Sequence, residues 1–227
     1  MPTALITGCD YGIGFEFARQ LGEANWRVHA ICLQPASKAR VEALGERVRF
    51  HQADVSIEPH IRNLANALSA QPIDLVINNA ATFAPDGTGS LELPDMDEFS
   101  RVMRVNAVSL IYVAEAFTDH VAASDLRKMV FISTRSGSIG DNSSGGHYAY
   151  RSSKAALNMA VKSISLDLAG HGIISVALHP GSVRTETRKK GQIDVTESVA
   201  GMRKVIDSLT AANTGTFQRF DGGTIEW

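Results

Sequence analysis

The chain has 227 residues, of which 44% are hydrophobic and 20% are charged, and its formal net charge is −2. These proportions are typical of a soluble globular protein with a sizeable core, and the near-neutral charge disfavours binding to nucleic acid or to an anionic membrane. No apolar run reaches the roughly 18 residues of a transmembrane helix, and the N-terminus lacks the basic and apolar regions of a signal peptide. Two cysteines, Cys9 and Cys32, in a chain of this length predict a reduced, cytoplasmic protein.

Short apolar runs typical of strands alternate with amphipathic segments typical of helices along the whole chain. The strand-like runs lie at 4–6, 28–32, 48–50, 75–77, 129–132, 174–178 and near 215–220. The helical patterns cover 15–25, 58–70, 97–122, 149–169 and 195–209. This alternation predicts an α/β fold in which a doubly wound parallel sheet, a Rossmann fold, forms a single domain over 1–227.

A glycine-rich turn, TGCDYGIG at 7–14, lies between the first strand and the first helix. Glycines let the backbone turn tightly and let a pyrophosphate approach it, and the N-terminus of the following helix offers unpaired N–H groups to the phosphate. A glycine pattern alone is weak evidence, but its place between strand and helix favours a dinucleotide-binding loop over a turn without a ligand.

Two tyrosines and a lysine stand near the start of the helical pattern at 149–169. Tyr150 and Lys154 are four residues apart and therefore share a face of the helix. A nearby cation lowers the pKa of a phenol from its usual value of about 10, so this pair suits proton transfer near neutral pH. Tyr148 is followed four residues later by Ser152 and points about 160° away from that face. We expect Tyr148 to pack or to line a pocket.

Six motifs in order resemble the short-chain dehydrogenase/reductase family over nearly the whole chain. They are TGCDYGIG at 7–14, Asp54-Val55, Asn78-Asn79-Ala80-Ala81, Val105-Asn106-Ala107, Tyr150-Arg151-Ser152-Ser153-Lys154 and Pro180-Gly181-Ser182-Val183-Arg184-Thr185. The stretch 139–159 and the ending 221–227 further resemble a subgroup of that family that includes carbonyl reductases and a developmental signal protein, the C-signal protein.

The resemblance implies an oxidoreductase that transfers a hydride between a nicotinamide cofactor and a carbonyl or alcohol substrate. Tyr150 is then the general acid/base, Lys154 also binds the nicotinamide ribose, and Asn106 positions a water that extends the proton path. The residues implied to contact the cofactor are Gly8, Asp10, Gly12, Ile13, Gly14, Leu33, Asp54, Val55, Asn79, Ala80, Tyr150, Lys154, Pro180, Val183 and Thr185.

A catalytic hydroxyl is the fourth member of the implied site. The family carries a serine after its fifth strand, often the second serine of Ile-Ser-Ser, and this chain reads Ile132-Ser133-Thr134. The resemblance therefore assigns the role to Thr134, with Ser136 and then Ser138 as alternatives along the same loop. All three are also compatible with ordinary loop hydroxyls bonded to the backbone.

The second strand runs into Leu33-Gln34-Pro35, without an Asp or Glu to bond a ribose 2′-hydroxyl, which argues against strict selectivity for NAD. The positions at which NADP-preferring members of the family carry a basic residue hold Leu33 and Tyr11. Lys38 and Arg40 either reach a phosphate or belong to a solvated helix start. We expect NADP or NAD as the cofactor, with a slight preference for NADP.

A short substrate loop is expected at about 183–200, leaving an open pocket with weak selectivity. Its basic cluster, Arg188-Lys189-Lys190, is more typical of a solvated loop than of a site for an acidic substrate. The histidines show no metal-ligand spacing, so no metal is expected.

Helical patterns 97–122 and 149–169 carry apolar residues on more than one face. The resemblance implies a homodimer or homotetramer that covers the outer face, although a helix buried within one chain would show the same pattern. The alternative to an enzyme is a dinucleotide-binding signalling or regulatory protein that uses the same fold without turnover. The presence of Asn106, Tyr150 and Lys154 together favours the enzyme.

Overall fold

The computed structural model describes residues 1–69, 71–84, 91, 94–186 and 189–227. Seven strands form one parallel sheet, and two more form a separate pair. The nine strands are β1 (Thr3–Thr7), β2 (Arg27–Cys32), β3 (Val48–Gln52), β4 (Leu75–Asn78), β5 (Lys128–Ile132), β6 (Ile174–His179), β7 (Val183–Arg184), β8 (Ile193–Asp194) and β9 (Phe217–Arg219). The main sheet has the order β3-β2-β1-β4-β5-β6-β9, and β7 pairs with β8. The predicted doubly wound parallel sheet is confirmed.

Seven helices connect these strands within the described residues: α1 (Gly12–Glu23), α2 (Lys38–Glu42), α3 (Glu58–Ala67), α4 (Met96–Met103), α5 (Ser109–Ala122), α6 (Tyr148–Asp167) and α7 (Val195–Ser208). Helix α1 begins three residues before the predicted start, because the glycines at 12 and 14 hide its helical pattern. The helical pattern at 97–122 is divided into α4 and α5 by a π-helical turn, Arg104–Val108. None of the described helices is long and apolar enough to cross a membrane.

Helices cover both faces of the sheet, which explains why strands β1, β4 and β5 are buried along their whole length. Phe17 of α1 and Met202 of α7 pack on one face. Ile61 of α3, Phe117 of α5 and Val161 of α6 pack on the other. The alternating layers leave the carboxyl ends of the parallel strands free to carry a site.

A pair of imidazoles is buried between β2 and β3. His29 has no exposed surface, and its Nδ1 lies 2.9 Å from His51 Nε2 while its Nε2 lies 3.2 Å from Gln71 Oε1. Both contacts are satisfied when both rings are neutral, with His51 donating to His29 and His29 donating to Gln71. Burial, reinforced by His51, lowers the pKa of His29 to about 4, and burial also lowers the pKa of His51.

These imidazoles predict an acid-sensitive fold. The unfolded chain takes up a proton at each histidine near about pH 6.5, whereas folded His29 does so near about 4. The unfolded state therefore binds more protons in this window, and the free energy of unfolding falls as the pH is lowered through it. Urea unfolding measured across the window would show a shallower pH slope in His29→Asn than in the wild type. His171→Asn, at an exposed histidine, is the matched control; an identical slope in His29→Asn would contradict the assignment.

Candidate active site

The predicted site residues meet at the carboxyl edge of the main sheet. Gly8 follows β1, Leu33 follows β2, Asn79 follows β4, Thr134 follows β5 and Pro180 follows β6. Because β1 lies between β2 and β4, the strand order reverses at this edge, which is where open α/β sheets bind ligands.

The glycine loop makes a tight turn with close backbone approaches, as is typical of dinucleotide-binding loops. Gly8 and Gly12 adopt left-handed φ angles of 72° and 61°. A Cβ on Gly14 would lie 2.2 Å from the carbonyl oxygen of Gly8, so that position admits no side chain. Tyr11 precedes helix α1 and makes no side-chain capping hydrogen bond. The first-turn N–H groups of α1 therefore donate no hydrogen bond to the Tyr11 side chain, and such groups at a helix N-terminus favour an anion.

Thr7 joins the loops after β1 and β4. Its Oγ1 accepts hydrogen bonds from the N–H groups of Asn79 (2.9 Å) and Ala80 (3.0 Å). In return, Asn79 Nδ2 donates to the carbonyl oxygens of Thr7 (3.0 Å) and Gly8 (3.1 Å). Asn79 and Ala80, which the sequence predicted as cofactor contacts, therefore also build the glycine loop. The role of Thr7 was missed, because a hydroxyl beside a glycine gives no long-range signal.

Asp10 and Asp54 carry their carboxylates to this edge. Asp10 accepts hydrogen bonds from the N–H groups of Leu33 (3.0 Å) and Gln34 (2.9 Å) and from Ser37 Oγ (2.8 Å). Asp54 instead accepts from the N–H and hydroxyl of Ser56, beside buried Val55. Among the described residues, no group of three His, Cys, Asp or Glu side chains is arranged to hold a metal ion.

The segment after β6 covers the glycine loop. A Cβ on Gly12 would lie 3.5 Å from Thr185 Cγ2, and the buried Pro180 carbonyl accepts a 2.6 Å hydrogen bond from Ser198 Oγ. The short pair β7–β8, which includes Val183, leads directly into α7, so helix occupies residues 195–200 of the expected substrate loop. Thr187 and Arg188 of that loop lie outside the described residues.

Lys38 and Arg40, the two cations that follow β2, are each paired with a carboxylate. Arg40 bonds Glu186 at 2.6 Å and stacks 4.1 Å from the centroid of the Phe15 ring. Lys38 lies 3.9 Å from Glu42 on the same helix. Arg40 thus ties α2 to the segment that covers the glycine loop, a contact that local sequence pattern does not reveal.

Lys154 of α6 is buried against the end of β5. Its Nζ donates a 2.9 Å hydrogen bond to the carbonyl oxygen of Ile132, and 3% of the residue is exposed. Burial lowers the pKa of Lys154 to about 8, so the ammonium is charged at neutral pH. Tyr150 is half-buried one turn earlier on α6, and Tyr148, also half-buried, is the first residue of that helix.

The loop after β5 is pressed against α6. Ser133 Oγ donates to Asn158 Oδ1 at 2.6 Å, and Asn158 Nδ2 donates to the Gly137 carbonyl at 3.1 Å. A Cβ on Gly137 would lie 2.8 Å from the carbonyl carbon of Lys154. Asn158 was missed by sequence reasoning, although its position one turn after Lys154 places it on the same face.

The alternatives for the catalytic hydroxyl differ in their surroundings. Thr134 is half-buried, and its Oγ1 accepts a 3.2 Å hydrogen bond from the N–H of Ser136. Ser136 is also half-buried, and its hydroxyl makes no hydrogen bond to any described residue. Ser138 is 1% exposed, and its Oγ donates to the Trp227 carbonyl at 3.4 Å. Ser138 therefore anchors the C-terminus, which leaves Thr134 and Ser136.

Asn106 lies in the π-helical turn and is 1% exposed. Its Oδ1 accepts from the Thr82 N–H at 2.7 Å, and its Nδ2 donates to the Thr82 carbonyl (2.8 Å) and to Ser153 Oγ (3.0 Å). Ser153 Oγ in turn donates to the Tyr150 carbonyl at 2.8 Å. The Asn106 side chain thus links the loop after β4 to the backbone of Tyr150.

The aromatic contact of Tyr150 with Phe83 was not predicted. The Phe83 ring, 49% exposed as a residue, lies 5.2 Å from the Tyr150 ring and 5.3 Å from the His147 ring, measured between centroids. His147 adopts a left-handed φ of 49° just before α6. Nothing local distinguishes Phe83 in the sequence, because it comes close to Tyr150 through tertiary packing.

Comparison with known proteins gives consistent matches. Residues 2–205 match the model of the short chain dehydrogenase family. The C-signal protein of Myxococcus xanthus is 37% identical over 172 residues, covering 74% of this chain and 100% of that protein. The 1-hydroxy-2-glutathionyl-2-methyl-3-butene dehydrogenase of Rhodococcus sp. strain AD45 is 34% identical over 234 residues, covering 100% of both chains.

Solved structures match over the whole chain. Carbonyl reductase Sniffer of D. melanogaster superposes with a TM-score of 0.92 at 26% identity, covering 100% of both chains. A short-chain dehydrogenase/reductase from Burkholderia multivorans with bound NADP superposes with a TM-score of 0.88 at 30% identity, covering 100% of this chain and 99% of that one.

The contact of Gly137 with Lys154 predicts that a single methyl group disturbs the site. Gly137→Ala would place Cβ against the Lys154 backbone and lower the free energy of unfolding by about 2 kcal/mol, a typical cost of overpacking. Gly170→Ala is the matched control, because Gly170 also lies in a 3₁₀ turn and its Cβ would meet nothing within 4 Å. Urea unfolding of both variants checks this, and equal stabilities would refute the close packing.

Proposed function

The chain belongs to the short chain dehydrogenase family, and we propose that it interconverts a carbonyl and an alcohol with a nicotinamide dinucleotide as the hydride carrier. The observation that carries the proposal is the buried Lys154 ammonium, one helical turn from the half-buried Tyr150 phenol at the edge where the strand order reverses. A buried cation one helical turn from a phenol favours the phenolate and therefore suits proton transfer.

Tyr150 is the proton donor and acceptor in this proposal. When bound, the nicotinamide supplies or accepts the hydride. The Tyr150 hydroxyl then protonates the carbonyl oxygen during reduction, or takes the proton of the alcohol during oxidation. Lys154 is charged below its pKa of about 8, and its positive charge favours the phenolate that remains after the proton has left.

Two further groups arrange the reacting oxygen and Tyr150. We assign the Thr134 hydroxyl to hydrogen-bond the substrate oxygen, because Thr134 stands after β5 where the family carries its serine; Ser136 is the alternative. Asn106 acts on Tyr150 through Ser153, so it is a positioning residue. Its side-chain nitrogen donates two hydrogen bonds, and the family resemblance further implies that Asn106 positions a water that extends the proton path.

The cofactor is NADP or NAD, with NADP favoured because the Burkholderia multivorans structure holds NADP. The residues fit the group: Gly8, Gly12, Ile13 and Gly14 would hold the pyrophosphate, and Lys154 the nicotinamide ribose. Val183 and Thr185 would flank the nicotinamide, and Asp54 and Val55 the adenine. These assignments are the ones that the family resemblance implies for residues around the sheet edge.

The substrate is a small molecule that carries a carbonyl or alcohol group. The name of the Drosophila neighbour supports carbonyl reduction, and the name of the Rhodococcus relative supports alcohol oxidation. The connector at 183–194 is short and is followed directly by α7, so we propose an open substrate site.

A second copy of the chain is the proposed partner. Ile111 and Tyr112 of α5 and Met159 and Leu166 of α6 are between 39% and 68% exposed. Because residues seven apart share a helix face, Met159 and Leu166 form a stripe that a homodimer or homotetramer would cover. The buried, free thiols of Cys9 and Cys32 support a reducing, cytoplasmic location.

A dinucleotide-binding signalling protein is the second candidate function, because the C-signal protein is 37% identical over its full length. This candidate predicts cofactor binding without turnover and a biological effect that is insensitive to Tyr150→Phe. The first candidate predicts turnover, so the following substitutions distinguish the two.

Tyr150→Phe removes the proton that the mechanism needs and leaves the ring. We expect carbonyl-dependent oxidation of the reduced cofactor, followed by absorbance with a carbonyl panel, to fall by about 10²- to 10⁴-fold. Tyr148→Phe is the matched control and should retain activity. Wild-type turnover that persists unchanged in Tyr150→Phe would sink the proposed role of Tyr150.

Thr134→Val removes the hydroxyl and conserves the shape. We expect kcat to fall by about 10²-fold, because the substrate oxygen loses a hydrogen bond in the transition state. Thr134→Ser should retain activity. Ser136→Ala should change kcat by less than about threefold, far less than the loss expected for Thr134→Val. Loss of activity confined to Ser136→Ala would move the role to Ser136.

A further inference from the structure

We propose that Asp10 of the glycine loop is the residue that discriminates between NAD and NADP, because it brings a carboxylate to the end of β2 from a different part of the chain. The proposal rests on the dinucleotide binding proposed above. In many dinucleotide-binding folds an acidic residue at the end of the second strand bonds the ribose 2′-hydroxyl and repels a 2′-phosphate. This chain has Leu33-Gln34-Pro35 there, and the sequence alone gave no acid for the role.

The Asp10 side chain crosses from the glycine loop to the end of β2. Its Oδ2 accepts from the Leu33 N–H at 3.0 Å, and its Oδ1 accepts from the Gln34 N–H at 2.9 Å and from Ser37 Oγ at 2.8 Å. Leu33 and Gln34 are exposed and Asp10 is half-buried, so part of this region is open to solvent. The negative charge of Asp10 therefore lies beside Leu33, next to the place where other dinucleotide-binding folds carry the acidic residue that ends the second strand.

The hydrogen bonds that the Asp10 carboxylate already accepts determine which cofactor group it can still bind. A carboxylate offers about four lone-pair sites and no donor. Three sites are occupied, and the remaining one is on Oδ2, which accepts a single bond from Leu33. A ribose 2′-hydroxyl can donate to that site, whereas a 2′-phosphate has no proton to offer at neutral pH and meets a negative charge.

The same hydrogen bonds to Asp10 occupy N–H donors that could otherwise bind a phosphate. The N–H groups of Leu33 and Gln34 at the strand end both donate to Asp10. Arg40 is bonded to Glu186 at 2.6 Å, and Lys38 lies 3.9 Å from Glu42. Asp10 therefore weakens the binding of the 2′-phosphate without excluding it, and a preference for NADP depends on cations outside this carboxylate's hydrogen bonds.

Titration of NADH and of NADPH into the full chain, by calorimetry at low salt, tests the proposal without turnover. The measured quantity is the ratio of the two dissociation constants, NADPH over NADH. We expect Asp10→Asn to lower this ratio by about tenfold, as expected for removing one charge a few ångströms from a phosphate. The change should shrink in high salt, because the interaction is Coulombic and partly exposed. Asp10→Ser, a second neutral variant, should lower the ratio in the same direction.

Ser37→Ala is the matched control. It removes one hydrogen bond from the same carboxylate and keeps the charge, so the ratio should stay within about twofold of wild type, well short of the effect of a lost charge. Asp10→Asn that weakens both dinucleotides equally, with the ratio unchanged, would overturn the proposal and reduce Asp10 to a loop-fixing role. A wild type that binds neither dinucleotide would overturn the proposed function and this inference together.

Discussion

The buried Lys154 ammonium is the constraint on which the candidate site depends. Removing a charge from water is costly, and here the hydrogen bond to the Ile132 carbonyl offsets part of that cost. The bond fixes helix α6 against the end of β5, and with it the position of Tyr150 one turn earlier. Gly137 permits the loop after β5 to lie directly on the Lys154 backbone, so the residues that follow β5 and those that open α6 form one unit.

Side chains from separate loops stabilise the rest of the sheet edge. Thr7 joins the loops after β1 and β4, Asp10 joins those after β1 and β2, and Arg40 joins α2 to the segment after β6. Asn106 joins the loop after β4 to α6. Each loop is held by another, which allows short loops to present an ordered site without a second domain.

The sequence predicted the architecture well, because parallel strands buried on both faces and amphipathic helices leave strong local patterns. The π-helical turn at Asn106 and the two-residue strands β7 and β8 were missed, since none is long enough to show a period. Contacts made by folding were missed for a different reason. The approach of Phe83 to Tyr150, the pairing of Arg40 with Glu186 and the bond from Ser138 to the C-terminus join residues distant in sequence.

Residue roles at the site remain a proposal, and hydride transfer is its central claim. The most direct measurement is isotope transfer: reduced cofactor with deuterium at both C4 positions of the nicotinamide is incubated with the protein and a panel of carbonyl compounds, and the products are examined by NMR. The account predicts deuterium on the new carbinol carbon of at least one product, with one stereochemistry. Dinucleotide binding without deuterium in any product across a broad panel would contradict it and favour a signalling role.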